Sequence, residues 1–219
     1  MAPAAVPYVG ERLREERLRR GVSVRSLARD LGVSASLISQ IETGKSQPSV
    51  STLYAITNAL GIAIEDVFTP PEETTTRAGV DGPDGGARKA GAPTTVLEAL
   101  LTHRGERLGP LVTPTTRQSL QLDSGVTWER LGHLPDTHVY FLLITYEPGG
   151  TSSSTGQLMR HRGAEYGYLI SGELTVTLGF EEHHLGPGDS VSFSSTTPHR
   201  YRNDGSAPAV GVWFVIGTD

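Results

Sequence analysis

The chain contains no cysteine among its 219 residues. This excludes disulfides, thiolate zinc sites and cysteine nucleophiles. The sequence also lacks any run of about 18 apolar residues, so it offers no candidate membrane-spanning helix. Residues 1–20 do not have the apolar stretch after basic residues that marks a secretory signal. We therefore expect a cytoplasmic protein that has no membrane partner.

The charge of the chain is unevenly distributed. The net charge is −5, but residues 1–45 hold eight basic and five acidic side chains, a net +3 that leaves −8 for the remainder. A basic segment attached to an acidic body indicates one module that meets an anion and another that does not. A solvated helix face is the alternative explanation of the same charges.

Three regions differ in composition. Residues 8–69 are predicted to form a helical domain, and residues 96–219 a domain of strands. Residues 70–95 contain nine Gly or Pro among 26 residues and almost no large apolar side chains. Such a segment cannot bury enough surface to offset its ordering entropy, so we expect a flexible linker that transmits no rigid rotation. Residues 95–103, TVLEALLTH, have the apolar spacing of a short helix.

Helix start and stop signals divide the first domain into five short helices. Val9, Leu13 and Leu18 are predicted to share the inward side of the first helix. The last helix is a single turn formed by IEDVF, residues 64–68. The predicted N-caps are Ser23, Ser34 and Ser49, and the predicted stops are Gly21, Gly32, Gly44 and Gly61. The GVS turn between the second and third helices is typical of a helix-turn-helix motif.

Residues 23–61 read SVRSLARDLGVSASLISQIETGKSQPSVSTLYAITNALG. This segment resembles the repressor-like DNA-binding domain of the lambda/434 repressor superfamily, the Xre-like family. The resemblance implies a five-helix bundle whose third helix enters the major groove of DNA. It also implies a structural ion pair between Arg17 and Glu42.

The third helix carries the candidate base contacts. With Leu37, Ile38 and Ile41 facing the core, the opposite face presents small or hydrogen-bonding side chains. Gln40 can pair with adenine through two hydrogen bonds, whereas Lys45 and Arg25 are placed to contact phosphates. The candidate DNA contacts are Arg25, Ser34, Ala35, Ser36, Ser39, Gln40 and Lys45. For the serines, an ordinary exposed helix position is the alternative.

The second domain is predicted to be all-β, because short apolar segments alternate with turn signals along it. Two segments resemble the motifs of the cupin family, a double-stranded β-helix or jelly roll. The first motif contains His161, Glu165 and Gly172, and the second contains His199 and Asn203. The complete fold prediction is a multidomain α + β chain with an N-terminal helix-turn-helix bundle and a C-terminal cupin.

The cupin resemblance predicts a metal site formed by His161, Glu165 and His199. Two histidines and one carboxylate can hold a divalent cation such as Zn, Fe, Ni or Mn with open coordination positions. The family's remaining histidine ligand would fall at position 159, which is Met159 here. Hydrogen bonding of the three groups to a polar effector, or to one another, is the alternative.

The candidate walls of the effector pocket are Tyr140, Met159, Phe193, Tyr201 and Trp213. Each of these residues also suits the hydrophobic core of a small barrel, so the pattern alone leaves both roles open. Strand alternation predicts that Glu165, Gly167 and Leu169 point the same way, into the barrel if Glu165 does.

The two resemblances together predict a sequence-specific transcriptional regulator, not an enzyme. Its cupin would sense a small-molecule effector and dimerise the chain on a double-stranded DNA operator that has two half-sites. The same domain pair also resembles the mononuclear non-haem iron epoxidases that carry a helix-turn-helix-like accessory domain. The GKxxPS stretch at residues 44–49 favours retained DNA binding. The sequence fixes neither the effector, the operator nor the sign of regulation.

Overall fold

The structure is a computed structural model that describes residues 8–68, 111–132, 134 and 138–217, together with the backbone of residues 4–5. The predicted linker at 70–95 and the predicted helix at 95–103 lie outside the described residues. The domain limits between them therefore stay predictions. In the described part of the chain, no helix is both long and apolar enough to cross a bilayer.

Four α-helices form the N-terminal domain: α1 (Val9–Arg19), α2 (Val24–Leu31), α3 (Ala35–Glu42) and α4 (Val50–Leu60). The expectation of a fifth α-helix is wrong, because Ile64–Phe68 forms a 3₁₀ helix. The backbone N–H of Asp66 donates to the Ala63 carbonyl, three residues back, at 3.1 Å. The Asp66 carboxylate in turn accepts from the Ala63 N–H. A backbone hydrogen bond three residues back is the pattern of a 3₁₀ helix, whereas an α-helix bonds four residues back.

The predicted helix caps are present. The side chains of Ser23, Ser34 and Ser49 each accept a hydrogen bond from the backbone N–H three residues later, at 3.0–3.2 Å. Gly32 ends α2 in the left-handed conformation, with φ of 67°. α3 begins three residues later, so the helix–turn–helix geometry follows from a glycine stop and a serine cap placed close together.

Leu13, Leu27, Ile38 and Ile41 form the centre of the helical domain and are almost fully buried. The prediction that Leu18 faces this core is wrong, since 57% of Leu18 is exposed. Its neighbour Arg17 is buried instead and forms a bidentate ion pair with Glu42, the residue with which the resemblance paired it. Arg17 Nε donates to Glu42 Oε1 at 2.6 Å, and Arg17 Nη2 donates to Oε2 at 2.8 Å.

The C-terminal domain is all-β, as predicted. Its strands, with a short N-terminal one, are β1 (Ala4–Ala5), β2 (Gln118–Leu122), β3 (Val126–Gly132), β4 (Val139–Tyr146), β5 (Ala164–Ser171), β6 (Leu174–Leu178), β7 (Glu181–Leu185), β8 (Ser190–Ser194), β9 (His199–Arg202) and β10 (Ala209–Ile216). One sheet has the order β1-β2-β3-β4-β10-β5-β8 and the other β7-β6-β9. Because β1 pairs in parallel with β2, the segment before α1 belongs to the larger sheet.

The helical and β domains contact each other directly. The N–H of Ser51 donates to the Ser152 carbonyl at 2.9 Å, and the N–H of Asp123 donates to the Pro48 carbonyl at 2.9 Å. Tyr54, near the middle of α4, is buried and meets Trp128 of β3 edge-to-face, with 6.1 Å between ring centroids. The buried side chains of both domains form one hydrophobic cluster. The position of α4 therefore depends on the β domain.

Candidate functional site

Three buried side chains converge inside the β domain: His161, Glu165 and His199. Their potential ligand atoms all lie within 4.8 Å of one another. The distance from Glu165 Oε1 to His161 Nε2 is 2.8 Å, and to His199 Nε2 it is 3.0 Å. The structure thus brings together the three residues that the cupin motifs predicted.

Local backbone structure explains why these side chains meet. Along β5, Glu165, Gly167 and Leu169 are buried, whereas the residues between them are about half exposed, as strand alternation predicted. Met159 and His199 exchange two backbone hydrogen bonds, at 2.9 and 2.8 Å. This pairing holds the chain before β5 against the start of β9, which places the two histidines side by side. The Met159 side chain is part of the buried core.

Backbone carbonyls show which nitrogen of each histidine ring carries a hydrogen. His161 Nδ1 lies 3.2 Å from the Arg162 carbonyl, and His199 Nδ1 lies 2.8 Å from the Thr197 carbonyl. Because a carbonyl oxygen only accepts, each Nδ1 must carry the hydrogen. A ring that also carries a hydrogen on Nε2 donates it to the Glu165 carboxylate, whereas a neutral ring offers its Nε2 lone pair to a cation in that place.

Two imidazole nitrogens and one carboxylate that point at the same place can together coordinate a cation. His199 Nε2 is buried and, among the described residues, has no partner with hydrogen-bond geometry despite its closeness to Glu165. Metal-bound histidines usually donate their second ring nitrogen to a carbonyl or carboxylate, as both do here. Two imidazoles and one carboxylate match the preferences of divalent Zn, Fe, Ni or Mn. The residues present therefore fit a divalent metal.

A chain of hydrogen bonds supports the carboxylate from behind. The Tyr201 hydroxyl donates to Glu165 Oε2 at 2.8 Å, and Trp213 Nε1 donates to the Tyr201 oxygen at 3.1 Å. Gly167 makes room for the indole, since a Cβ there would lie 2.5 Å from Trp213. The two aromatic residues predicted as pocket walls thus fix the orientation of Glu165.

The electrostatics keep Glu165 charged and Tyr201 neutral. Burial acts to raise the pKa of Glu165, but its interactions with His161 and His199 outweigh burial and lower the pKa to about 2. Burial, followed by the charge of Glu165, raises the pKa of Tyr201 well above its usual value. At neutral pH the site therefore holds an anionic ligand and a protonated donor beside it.

A cavity of about 780 Å³ is lined by residues of α4 and of the β domain. His161 lies in its wall, and the ring of Tyr54 stacks on the His161 imidazole with 4.2 Å between centroids and 2° between planes. Tyr140, a candidate wall of the effector pocket, lines this cavity. Phe193 contacts the edge of the His199 ring and lines a separate cavity of about 520 Å³.

Tyr54, Arg160 and Arg162 are among the residues of this cavity that sequence reasoning missed. The apolar spacing of α4 gave no signal that Tyr54 belongs to a site. The two arginines alternate around His161, but an arginine beside a motif carries no distinctive signal in a single sequence. Only the packing of the two domains brings these side chains to one wall.

The predicted recognition helix presents an open polar face. Ser36, Ser39 and Gln40 are exposed, whereas Ile38 and Ile41 are buried. α3 packs on α1 and α2, so the domain contact made by α4 leaves this face uncovered.

The other candidate DNA contacts surround that face. Arg25 and Lys45 are exposed and form no ion pair with any acid in the part of the chain that the structure describes. The Ser34 hydroxyl caps α3, and Ala35 is half-buried against the core, so these two can approach DNA mainly through their backbone.

Two family models match separate parts of the chain. A model described as a helix-turn-helix matches residues 13–67, and one described as a cupin domain matches residues 142–215. The chain is 27% identical over 196 residues to the HTH-type transcriptional regulator PuuR of Escherichia coli, covering 89% of this chain and 86% of that protein. It is 32% identical over 66 residues to the HTH-type transcriptional regulator y4dJ of Sinorhizobium fredii, covering 30% of this chain and 86% of that protein.

A solved structure has the same arrangement of domains. The crystal structure of an HTH_3 family transcriptional regulator from Vibrio cholerae aligns with a TM-score of 0.60 and 21% identity. The alignment covers 98% of this chain and 97% of that one. At this identity the similarity concerns the fold, and it extends over both domains.

Proposed function

Because the chain belongs to the Xre-like helix-turn-helix transcriptional regulators with a C-terminal cupin domain, we propose that it recognises a specific double-stranded DNA operator and senses a small-molecule effector through its cupin. The observation that carries DNA recognition is the exposed polar face of α3. Ser36, Ser39 and Gln40 are short enough to let the helix approach base edges, and Arg25 and Lys45 flank it as phosphate contacts.

The experiment that tests this function is selection of bound sequences from a randomised duplex pool. We expect enrichment of a sequence with two half-sites, one for each helical domain of a dimer. Binding that shows no sequence preference at physiological salt would contradict operator recognition, because phosphate contacts alone supply only non-specific affinity.

The effector-sensing part of the proposal is supported by the buried cluster of His161, Glu165 and His199. These residues would hold a divalent metal, and a metal so held supplies a Lewis-acid position for an oxygen or nitrogen atom of the effector. Tyr201 keeps the Glu165 carboxylate oriented, and Tyr54 excludes water from one side of His161. Elemental analysis of protein purified without chelator tests the metal.

Dimerisation through the cupin is supported by the outward side of β4, β10 and β5, here called the outer face. Its side chains are Val139, Phe141, Leu143, Thr145, Ala164, Tyr166, Tyr168, Ile170, Val210, Val212, Phe214 and Ile216, none of which is charged. Tyr166, Tyr168 and Ile170 are each about half exposed. A two-fold interface places one patch against its own copy, so a patch free of charge brings no like charges together. We assign the outer face to a second copy of the chain.

The enzymatic alternative has one observation in its favour, namely that two histidines and a carboxylate also form the ligand set of non-haem iron oxygenases. The relatives reported above are named as transcriptional regulators. We therefore assign a regulatory role to the site. Oxygen-dependent turnover of a small molecule by the iron-loaded protein would support the enzyme instead.

A further inference from the structure

The cavity between α4 and the β domain has a distinctive charge. Its described lining includes Arg160, Arg162 and two histidines but no aspartate or glutamate, although the chain as a whole carries a net charge of −5. Both arginines are exposed, and neither guanidinium group forms an ion pair or hydrogen bond with any of the described residues. Elsewhere in the domain, Arg202 is paired with Glu182 and Asp204. Among the described residues, the cavity thus holds two cations that have no ionic partner.

The remainder of the cavity wall includes apolar and aromatic side chains. Ile62 and Ile64 line it from the helical domain, Val215 lines it from β10, and the Tyr54 ring covers His161. A binding site of this kind takes a molecule with an apolar body and one polar group of opposite charge. Guanidinium groups match carboxylates through paired hydrogen bonds, whereas an amine would meet like charge.

We infer that this cavity is the effector site and that its ligand is a small organic carboxylate, bound by Arg160 and Arg162 with its apolar part against Ile62, Ile64 and Val215. The inference deepens the proposed function and rests on it for its regulatory meaning. Since residues of α4 and of the β domain line the same cavity, the ligand touches both domains at once. Its affinity must therefore differ between domain arrangements, which is the condition for it to change DNA binding.

The test is calorimetric titration of the full-length chain, treated with chelator so that acid–metal coordination does not contribute. The probes are the carboxylates from acetate to 4-phenylbutyrate, each compared with its carboxamide and its amine. We expect a carboxylate with an apolar body to bind with a Kd at least about tenfold below that of its amide, because the amide lacks the charge. Equal binding of acid and amide, or binding of no carboxylate in the series, would overturn the inference.

The arginine assignment has its own control. The double variant Arg160→Gln/Arg162→Gln should lose the preference for acid over amide, whereas Arg14→Gln, an exposed arginine of α1 outside the cavity, should keep it. A double variant that kept the preference would place the acid elsewhere. The titration is carried out without DNA, so its result does not depend on operator recognition. Failure to select an operator would contradict DNA recognition and leave the preference for acid over amide untouched.

Discussion

The ring of Tyr54, on the DNA-binding domain, lies flat on the imidazole of His161, on the β domain, with 4.2 Å between their centroids. Both side chains are at least nine-tenths buried. His161 is a candidate metal ligand, so this stack connects α4 to the candidate site through a single contact. The stack is thus a direct contact between the domains that the proposed effector signal would use, since the linker was not expected to transmit it.

Replacing Tyr54 tests how much this contact stabilises the domain pair. Tyr54→Ala removes a buried ring and should lower the free energy of unfolding by about 3–5 kcal/mol. Tyr54→Phe keeps the stacked ring and should cost less than about 1 kcal/mol. Chemical denaturation monitored by tryptophan fluorescence measures both values. An alanine variant as stable as the parent would show that the domain contact contributes little.

The metal hypothesis predicts about one divalent ion per chain. Glu165→Gln keeps the shape of the side chain but removes the charge opposite two imidazoles, so metal should be lost. Tyr201→Phe removes only the hydrogen bond to Glu165 Oε2 and should weaken metal affinity about 10–100-fold. Elemental analysis and competition with a chelator measure these changes.

An acid outside the cluster provides the control for this metal series. Glu182→Gln changes an exposed acid of β7 and should have no effect on metal content. A metal content well under one ion per chain, measured on wild-type protein purified without chelator, would contradict the metal hypothesis. The cluster would then be a polar effector pocket.

The DNA face predicts two different kinds of loss. Gln40→Ala should relax base preference at one position of each half-site, at a cost of about 1–3 kcal/mol for the preferred base. Lys45→Ala should weaken all sequences alike and reduce the dependence of affinity on salt. Fluorescence anisotropy over a series of operator variants and salt concentrations separates the two. A Gln40 variant with unchanged sequence preference would move the recognition face elsewhere on α3.

Sequence signals predicted those features that depend on local chemistry. Ser34 caps α3 because its hydroxyl reaches the N–H of Leu37, and Glu165 is buried because strand alternation carries it inward with Leu169. Both rules act over a few residues. At residues 64–68 the sequence predicted a final helical turn counted as a fifth helix, and the structure forms a 3₁₀ helix there.

Features that arise from packing between domains were missed for a physical reason. Tyr54 occupies an apolar position of α4, and no periodic pattern distinguishes a ring that faces its own domain from one that faces another. The convergence of Arg160 with Ile62 likewise depends on how α4 docks at the mouth of the β domain. The family motifs led to His161 and His199, but the groups surrounding them come from elements far apart in the chain.

Arg17 and Glu42 should contribute to the stability of the helical domain only when both are present. Arg17→Met alone leaves the Glu42 carboxylate buried without its partner and should cost about 3–5 kcal/mol of stability. The double variant Arg17→Met/Glu42→Leu removes both charges and should recover most of that loss. Thermal unfolding followed by circular dichroism measures the difference. Additive losses in the double variant would show that the two side chains act independently.

The outer face predicts that one added charge separates the dimer. Tyr168→Glu places a carboxylate at a half-exposed position of β5, and a two-fold interface would bring that charge close to its own copy. We expect the mass measured by light scattering to fall from two chains to one, and operator affinity to fall because two half-sites are no longer bound together. Phe180→Glu is the matched control, since Phe180 is a fully exposed aromatic outside the outer face. A Tyr168→Glu protein that stays dimeric would place the interface on another surface.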